Sequence, residues 1–339
     1  MLLVVTAPAS GAMDASEMGA SESEEGGLLL PSGLWVAGDV TARTTVPQHG
    51  PAVFEVDDAS LLARWEPGAR LALFTELRLE DLVKVVEGER TSTGSADVVL
   101  ERAYAEVLVT ASLTARLGKV FTPFGLWNVI RRAPLTWTVE RPAATEEMFP
   151  EHATGLSLTH QTTWRGWSLD ATTYGPIQDE VAFRHSEERG WLVGGRVAAG
   201  RGAGTFFGSI GLNAAAFRGW DESPWTTATG LDAELGIAGH QITGELTFRI
   251  PGDGGRTTHG LYVQDVIPLA PLGALARDLY GVLRLEYFQP RRGGAAVGQL
   301  LGLFWRPLPR LVLRADYLFS TRTLERLDPG FFGSVSVLL

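Results

Sequence analysis

The chain has 339 residues, of which 45% are hydrophobic, and a formal net charge of −10 at pH 7. It contains no cysteine, which excludes disulfide scaffolds, thiolate metal sites and cysteine nucleophiles. Five acidic residues between Asp14 and Glu25 account for about half of the net charge, because the first basic residue is Arg43. The rest of the chain is nearly balanced in charge, so nucleic acid is not expected as a partner.

Residues 1–32 are interpreted as a leader that precedes the folded domain. The start, MLLVVTAPASGA, has an apolar run followed by small residues, as at the end of a secretion signal, although no positive charge precedes the run. The acidic, low-complexity stretch after it is predicted to be disordered. A flexible N-terminus that is not a signal remains the alternative. No apolar run reaches the ~18 residues of a membrane-spanning helix, so any span would have to consist of strands.

From residue 33 onwards the hydrophobic pattern repeats every two residues. In HQITGELTFRI (240–250), Leu246 and Phe248 lie on one face and Glu245 and Arg249 on the other, which indicates a strand with one apolar and one polar face. Similar ladders predict strands at 34–44, 53–65, 71–80, 98–109, 111–119, 154–164, 166–174, 190–200, 203–217, 228–238, 258–268, 278–288, 296–306, 310–319 and 330–339. Together they make about sixteen strands.

The connections between these strands alternate between short and long. The short set is 65–69, 110–111, 164–167, 200–204, 238–240 and 306–310, with a longer member at 268–278. The long set is 45–52, 85–97, 120–153, 175–189, 218–227, 251–257, 290–295 and 320–329. In a meander this alternation places all short turns at one end. The prediction for 33–339 is therefore an all-β fold, a transmembrane antiparallel up-and-down β-barrel of about sixteen strands.

A soluble β-sandwich or propeller is the alternative, but three features count against it, the first being the alternation of connection lengths. The polar faces of the strands carry many charges. Aromatic residues also cluster near strand ends, as in the girdle at a membrane interface. These residues are Trp35, Trp65, Trp164, Trp167, Trp191, Trp305 and Tyr317.

The third long connection, 120–153, begins with apolar side chains that are unsuited to a loop in water. Phe121, Phe124 and Trp127 follow a strand end, and Pro123 and Gly125 stop the strand pattern. We expect the three aromatic residues to anchor the loop on the inner wall of the barrel. The sequence thus predicts that this long third loop folds inward and sets a constriction.

Two segments resemble a known family. GKVFTPFGLWN (118–128) resembles the strand-to-loop motif of Gram-negative outer-membrane porins, particularly the phosphate-selective-porin-like group, and DPGFFGSVSVLL (328–339) resembles their last strand. The resemblance implies a sixteen-stranded, usually trimeric barrel in the outer membrane, surrounded by lipid and lipopolysaccharide, whose third loop narrows the pore. The chain departs from the family in ending with Leu339 instead of phenylalanine, and in having no loop lysine beyond Lys119, which speaks against phosphate specificity.

Charged residues supply the candidate site. The predicted lumen wall carries Arg43, Arg78, Arg102, Arg249, Arg284, Arg314, Glu76, Glu106, Glu245 and Asp316. The predicted constriction candidates are Arg116, Lys119, Arg131, Arg132, Arg141, Glu146 and Glu147. Opposed rows of charge would orient polar solutes by a transverse field. Alternatively, these charges pair across strands and only stabilise the wall.

Catalytic and metal-binding patterns are weak. Ser209 lacks the glycine two positions earlier that a nucleophile elbow needs, and the six histidines show no paired metal-ligand spacing. We expect no enzyme activity, cofactor or metal. The predicted function is passive diffusion of small hydrophilic solutes or ions through a water-filled pore. A plugged barrel with a structural or adhesive role and a barrel lipase are the alternatives.

Overall fold

The structure, a computed structural model, describes residues 27–89, 97–146, 148–176, 190–219, 224–273, 276–324 and 327–339. Its strands are β1 (Leu28–Leu29), β2 (Leu34–Pro47), β3 (Val53–Gly68), β4 (Leu71–Val86), β5 (Asp97–Thr110), β6 (Leu113–Phe121), β7 (His152–Trp164), β8 (Trp167–Pro176), β9 (Gly190–Ala203), β10 (Phe206–Gly219), β11 (Thr226–Ile237), β12 (His240–Ile250), β13 (Thr258–Pro268), β14 (Leu279–Gln289), β15 (Ala296–Leu308), β16 (Leu311–Ser320) and β17 (Gly330–Leu338). The leader prediction covers residues 1–32, of which 1–26 lie outside the described residues, as does the candidate Glu147.

Strands β2 to β17 form a closed antiparallel barrel of sixteen strands, as predicted. Each strand pairs with its neighbours in the chain, and β17 closes the ring by pairing with β2, where Leu338 lies opposite Asp39. The two-residue strand β1 pairs with β2 beyond that point, opposite Trp35 and Val36. Closure leaves the wall without a free edge, because every long strand has a partner on both sides.

The two faces of the wall differ as the period-two pattern predicts. In β12, the side chains of Phe248 and Ile250 are exposed on the outer face, whereas Glu245 and Thr247 are buried on the inner face. The connections also follow the prediction: β11 and β12 are joined by two residues, 238–239, whereas β6 and β7 are joined by the long loop. Within the described residues, no helix has the length and apolarity that crossing a membrane would require.

Trp35 departs from the predicted aromatic girdle. Its side chain is only 9% exposed and packs in the core, whereas Trp65, Trp164 and Trp305 are exposed on the outer face near strand ends. The prediction for Trp35 was wrong because Trp35 lies on the same face of β2 as Ala37, Asp39 and Thr41, which are buried inside the barrel. Gly27 also approaches the indole closely, since a Cβ on Gly27 would come 2.5 Å from its Nε1.

Bulges change which side chains face inward. Across β4 and β5 the register shifts, since Glu76 lies opposite Arg102 but Leu77 lies opposite Leu100. Glu101 is the extra residue of this bulge, and both it and Arg102 are buried. Strict alternation would have placed Glu101 on the outer face.

The hydrophobic core lies inside the barrel, between the wall and the loop that we call the inner loop, residues 122–151. The described residues of this loop include a 3-10 turn at Ala133–Leu135 and a short helix, α1 (Ala143–Glu146). Side chains of the loop, including Phe124, Met148 and Phe149, are buried together with inward-facing wall residues such as Phe74 and Leu300. The inner loop therefore replaces the water that would otherwise fill this part of the lumen.

Candidate functional site

The first part of the inner loop crosses to the far wall of the barrel. The backbone N–H of Gly125 donates to Asn213 Oδ1 of β10 at 3.0 Å, and the N–H of Trp127 donates to Glu245 Oε1 of β12, also at 3.0 Å. Gly125 has a positive φ of 69°, and a Cβ at this position would overlap the Glu245 carboxylate. Glycine is required here for two reasons, the backbone conformation and the close approach to the wall.

The three predicted anchor residues are buried against the wall or against other parts of the loop. Phe121 packs on His152, with ring centroids 5.3 Å apart, and beneath the guanidinium of Arg102 at 4.8 Å. Phe124 stacks on Phe149 with ring centroids 4.2 Å apart. Trp127 is buried with Ala144 and Tyr262.

The middle of the inner loop contacts the wall on the opposite side, near the seam between β2 and β17. Arg132 forms a buried ion pair with Asp39 of β2 at 2.5 Å, with side chains 4% and 1% exposed. Arg314 of β16 donates to Thr136 Oγ1 at 2.5 Å and to the carbonyl of Ala133. Arg132 is one of the predicted constriction candidates, and the structure buries it as a link between loop and wall.

The last part of the loop returns along β16 and β14. The N–H of Val139 donates to Asp316 Oδ2 at 2.5 Å, and the N–H of Ala143 donates to Glu286 Oε2 at 2.9 Å. Arg284 donates to the carbonyl oxygen of Glu140 at 2.8 Å. Wall carboxylates thus accept from loop N–H groups, and wall guanidiniums donate to loop carbonyl groups.

The loop separates two cavities. The upper cavity, of about 370 Å³, lies toward the end of the barrel with the long connections. Its charged lining consists of Arg43, Arg78, Arg131, Arg141, Arg314, Asp57, Asp58, Glu80, Asp81, Glu140 and Glu146. Arg43 pairs with Glu140, Arg78 pairs with Glu80, and Arg141 lies 3.7 Å from Glu146. Both signs of charge border this cavity.

Arg131 illustrates the electrostatics of the upper cavity. Its guanidinium pairs with Glu151 and lies over the ring of Phe121 at 6.0 Å. Burial lowers the pKa of Arg131 to about 10, and the neighbouring Arg141 guanidinium acts in the same direction. At neutral pH the side chain is still charged, so it contributes positive charge at the edge of this cavity.

The lower cavity, of about 610 Å³, lies on the other side of the loop, toward the short turns. Loop residues on its border include Leu126, Ile130 and Trp137, and wall residues include Arg196 and Glu234. Thr136 borders both cavities, so the loop segment around it is the partition between them.

Several candidates lie away from the two cavities. Arg116 pairs with Glu106 at 2.6 Å. Arg116 also borders a third cavity, of about 40 Å³, which Glu106 does not border. Lys119 is buried and borders none of the cavities described here. Arg249 lies over the ring of Phe217 at 5.4 Å.

Two further wall candidates bind each other. Arg102 Nε donates to Glu76 Oε2 at 2.6 Å, and the side chains are 8% and 2% exposed. The pair is buried, and the Arg102 guanidinium also lies over the ring of Phe74 at 4.6 Å. Its position and burial are those of a wall-stabilising pair.

A cluster of Glu101, Glu151 and His152 was missed by sequence reasoning. Their ligand atoms lie within 4.8 Å of one another, in a geometry that a metal ion could use. Glu101 binds Arg78 at 2.5 Å and His152 Nε2 at 2.9 Å, while Glu151 pairs with Arg131. The two arginines already supply the positive charge that a divalent ion would bring. Glu101 faces inward only because of the bulge in β5, and the alternating sequence pattern does not predict that bulge.

Comparisons with known proteins show the fold. No family model and no curated protein matches the sequence. OmpF of Salmonella typhi in complex with daunomycin is 10% identical, with a TM-score of 0.62, and the match covers 91% of this chain and 98% of that chain. The trimer form of OmpT, an outer membrane protein of Vibrio cholerae, is 11% identical with a TM-score of 0.55, covering 90% and 99%.

An anion-selective porin from Comamonas acidovorans is 14% identical, with a TM-score of 0.57, and the match covers 90% of this chain and 98% of that chain. The chain has a porin-type barrel fold. At these identities the likeness concerns the fold alone, so the predicted resemblance to porins is confirmed at that level. The resemblance to the phosphate-selective group stays a prediction.

Proposed function

We propose that this protein is an outer-membrane porin that allows small hydrophilic solutes or ions to diffuse passively through the barrel. The observation that carries the proposal is the pair of cavities on the two sides of the inner loop. They lie within one closed barrel, and Thr136 borders both. A solute would pass from the upper to the lower cavity beside the loop segment 133–137.

The outer face of the wall supports a membrane location. Leu231 of β11 and Leu261 of β13 are exposed on either side of Leu246, and they form an apolar band at mid-strand. Trp164 and Trp167 are exposed at the short-turn end, where an aromatic girdle would meet the interface. The outer membrane of a Gram-negative cell, with its lipid and lipopolysaccharide, is the setting that suits such a wall.

The charges of the upper cavity support transport without a strong ion preference. Five arginines and six carboxylates line it, and three ion pairs join them: Arg43 with Glu140, Arg78 with Glu80, and Arg141 with Glu146. Such a lining polarises the space and orients dipolar solutes, while the net field on a single ion is small. Phosphate selectivity, against which the lack of loop lysines already speaks, would need an excess of positive charge.

We also propose a homotrimer as the assembled form. The support is the trimer form of the structurally similar OmpT of Vibrio cholerae. Cross-linking of the protein in intact membranes tests this part separately from conduction. A single band at the monomer mass would contradict it.

Loop deletion tests the pore directly. Replacing residues 132–140 by a short Gly/Ser linker removes Thr136 and the contacts of Arg132 and Val139 with the wall. Single-channel conductance in KCl should rise several-fold, because the partition between the cavities is gone. The barrel itself should still form, since β2 to β17 pair without help from the loop. The matched control removes residues 291–294 in an exposed connection and should conduct like the unmodified protein.

Equal conductance of the loop-deleted and unmodified proteins would show that the loop is not the constriction. The second candidate function is a plugged barrel with a structural or adhesive role, and the dense contacts of the inner loop favour it. If the unmodified protein carries no current while the deletion variant conducts, the loop is a plug and the porin proposal fails.

A further inference from the structure

The lower cavity has an apolar roof. The roof consists of the inner-loop residues Leu126, Val129, Ile130, Leu135 and Trp137, which border the cavity and remain partly exposed. The sequence predicts that apolar side chains of this loop are buried, and for Phe124 and Trp127 they are. The five roof residues instead face a space large enough for a solute. Water next to such a surface is replaced favourably by an apolar group.

The roof is held in a fixed position. The ring of Trp137 packs on Tyr280 with centroids 5.2 Å apart, and edge-on against Phe304 at 4.8 Å. Trp127, next to Leu126, is tied to Glu245 through its backbone N–H. A preformed apolar surface binds a rigid ring with little loss of conformational entropy.

The wall opposite the roof is polar and carries more negative than positive charge. Among the described lining residues, the charged ones are Asp170, Glu234 and Arg196. Arg196 is matched by a bidentate pair with Asp232, with Nη2 2.6 Å from Oδ1. Glu234 accepts a hydrogen bond from the neutral amide of Gln241 at 2.7 Å. A cation that enters the cavity therefore meets attractive charge.

We propose that the lower cavity is a binding site for cationic solutes that carry a ring, such as aromatic or alicyclic amines. The ring would lie against the apolar roof and the ammonium group would face Glu234. The cavity volume of about 610 Å³ is within the usual range for small-molecule sites. The inference names a solute class for the proposed pore and so rests on the proposed function.

Tryptamine is the probe, and two control compounds test the contributions of its charge and its ring separately. n-Butylamine has the charge without the ring, and indole-3-acetate has the ring with the opposite charge. Heats of binding to the purified full chain in detergent are measured by titration calorimetry. Block of single-channel current in planar bilayers is measured with each compound on each side. We expect tryptamine to bind, to interrupt the current, and to do both better than either control compound.

Two variants locate the site. Glu234→Gln keeps the acceptor for Gln241 and removes one charge, so tryptamine affinity should fall about five-fold. Ile130→Ser removes apolar surface from the roof and should weaken binding by a similar factor, about five-fold. The matched control is Asp57→Asn, which removes one carboxylate from the upper cavity and should leave affinity unchanged. Circular dichroism checks that each variant keeps its β-structure.

The results of these experiments distinguish failure of the proposed binding site from failure of the proposed pore. If the unmodified protein conducts KCl but binds tryptamine no better than n-butylamine, the inference is overturned and the pore stands. Equal affinity for indole-3-acetate, or an equal loss with Asp57→Asn and Glu234→Gln, also overturns it. If tryptamine binds with the expected pattern in a protein that carries no current, the pore is overturned and the site stands.

Discussion

The barrel wall and the inner loop satisfy their backbone hydrogen bonds in different ways. Wall strands pair with neighbouring strands, so the wall needs only its own alternating pattern to form. In the loop, the N–H groups of Trp127, Val139 and Ala143 donate to carboxylates of the wall. The loop conformation thus depends on wall side chains, whereas the backbone hydrogen bonds of the strands are made within the wall itself. Substitutions in the loop and in the wall should therefore differ in their effects on stability and on loop proteolysis.

The largest effect is expected from breaking the link between loop and wall at Arg132. Arg132→Met removes the guanidinium from a buried ion pair with the Asp39 carboxylate, which should cost ~3–5 kcal/mol of folding free energy. Urea unfolding in lipid vesicles measures the loss, and proteolysis of the loop reports its release. The control is Arg291→Met, which breaks an exposed pair with Asp253 whose side chains are 53% and 46% exposed.

The control variant should lose only ~0–1 kcal/mol, because surface pairs contribute little. Equal losses at Arg132 and Arg291 would mean that the link to Asp39 does not hold the loop. An unchanged rate of loop proteolysis in Arg132→Met would lead to the same conclusion.

The strands of the wall were predictable from sequence because each residue's face depends only on its immediate neighbours. The pattern in 240–250 gives β12 with its observed ends, and the ladder at 330–339 gives β17 to within one residue. A shift of one residue in the pairing of a strand would turn its apolar side chains inward, so the alternating pattern strongly constrains the strand register.

Introducing a charged side chain on the outer face tests the assignment of the two faces of the wall. Leu246→Arg places a guanidinium in the mid-strand apolar band and should cost ~2–4 kcal/mol if the site is near the bilayer centre. Thr243→Arg makes a similar change on the inner face of the same strand, where the side chain borders the lower cavity. The stability of both variants is measured by urea unfolding in vesicles. A greater loss at Thr243 than at Leu246 would mean that the faces are misassigned.

The partners of the loop were not predictable from sequence. Trp127 and Glu245 are 118 residues apart in the chain, and Arg132 and Asp39 are 93 residues apart. Burial of the aromatic residues could be inferred from their chemistry alone, but the identity of the accepting carboxylate depends on the closed barrel.

The smallest effect is expected at Glu245, where wall and loop meet. Its Oε1 accepts from the N–H of Trp127 at 3.0 Å and from the hydroxyl of Tyr262 at 2.9 Å. Glu245→Ala leaves these buried donors without an acceptor, which should cost ~1–3 kcal/mol. Glu245→Gln keeps an oxygen in place and should lose less, in urea unfolding measured under the same conditions. Equal losses for the two variants would show that the carboxylate's charge, and not its role as acceptor, holds the start of the loop against β12.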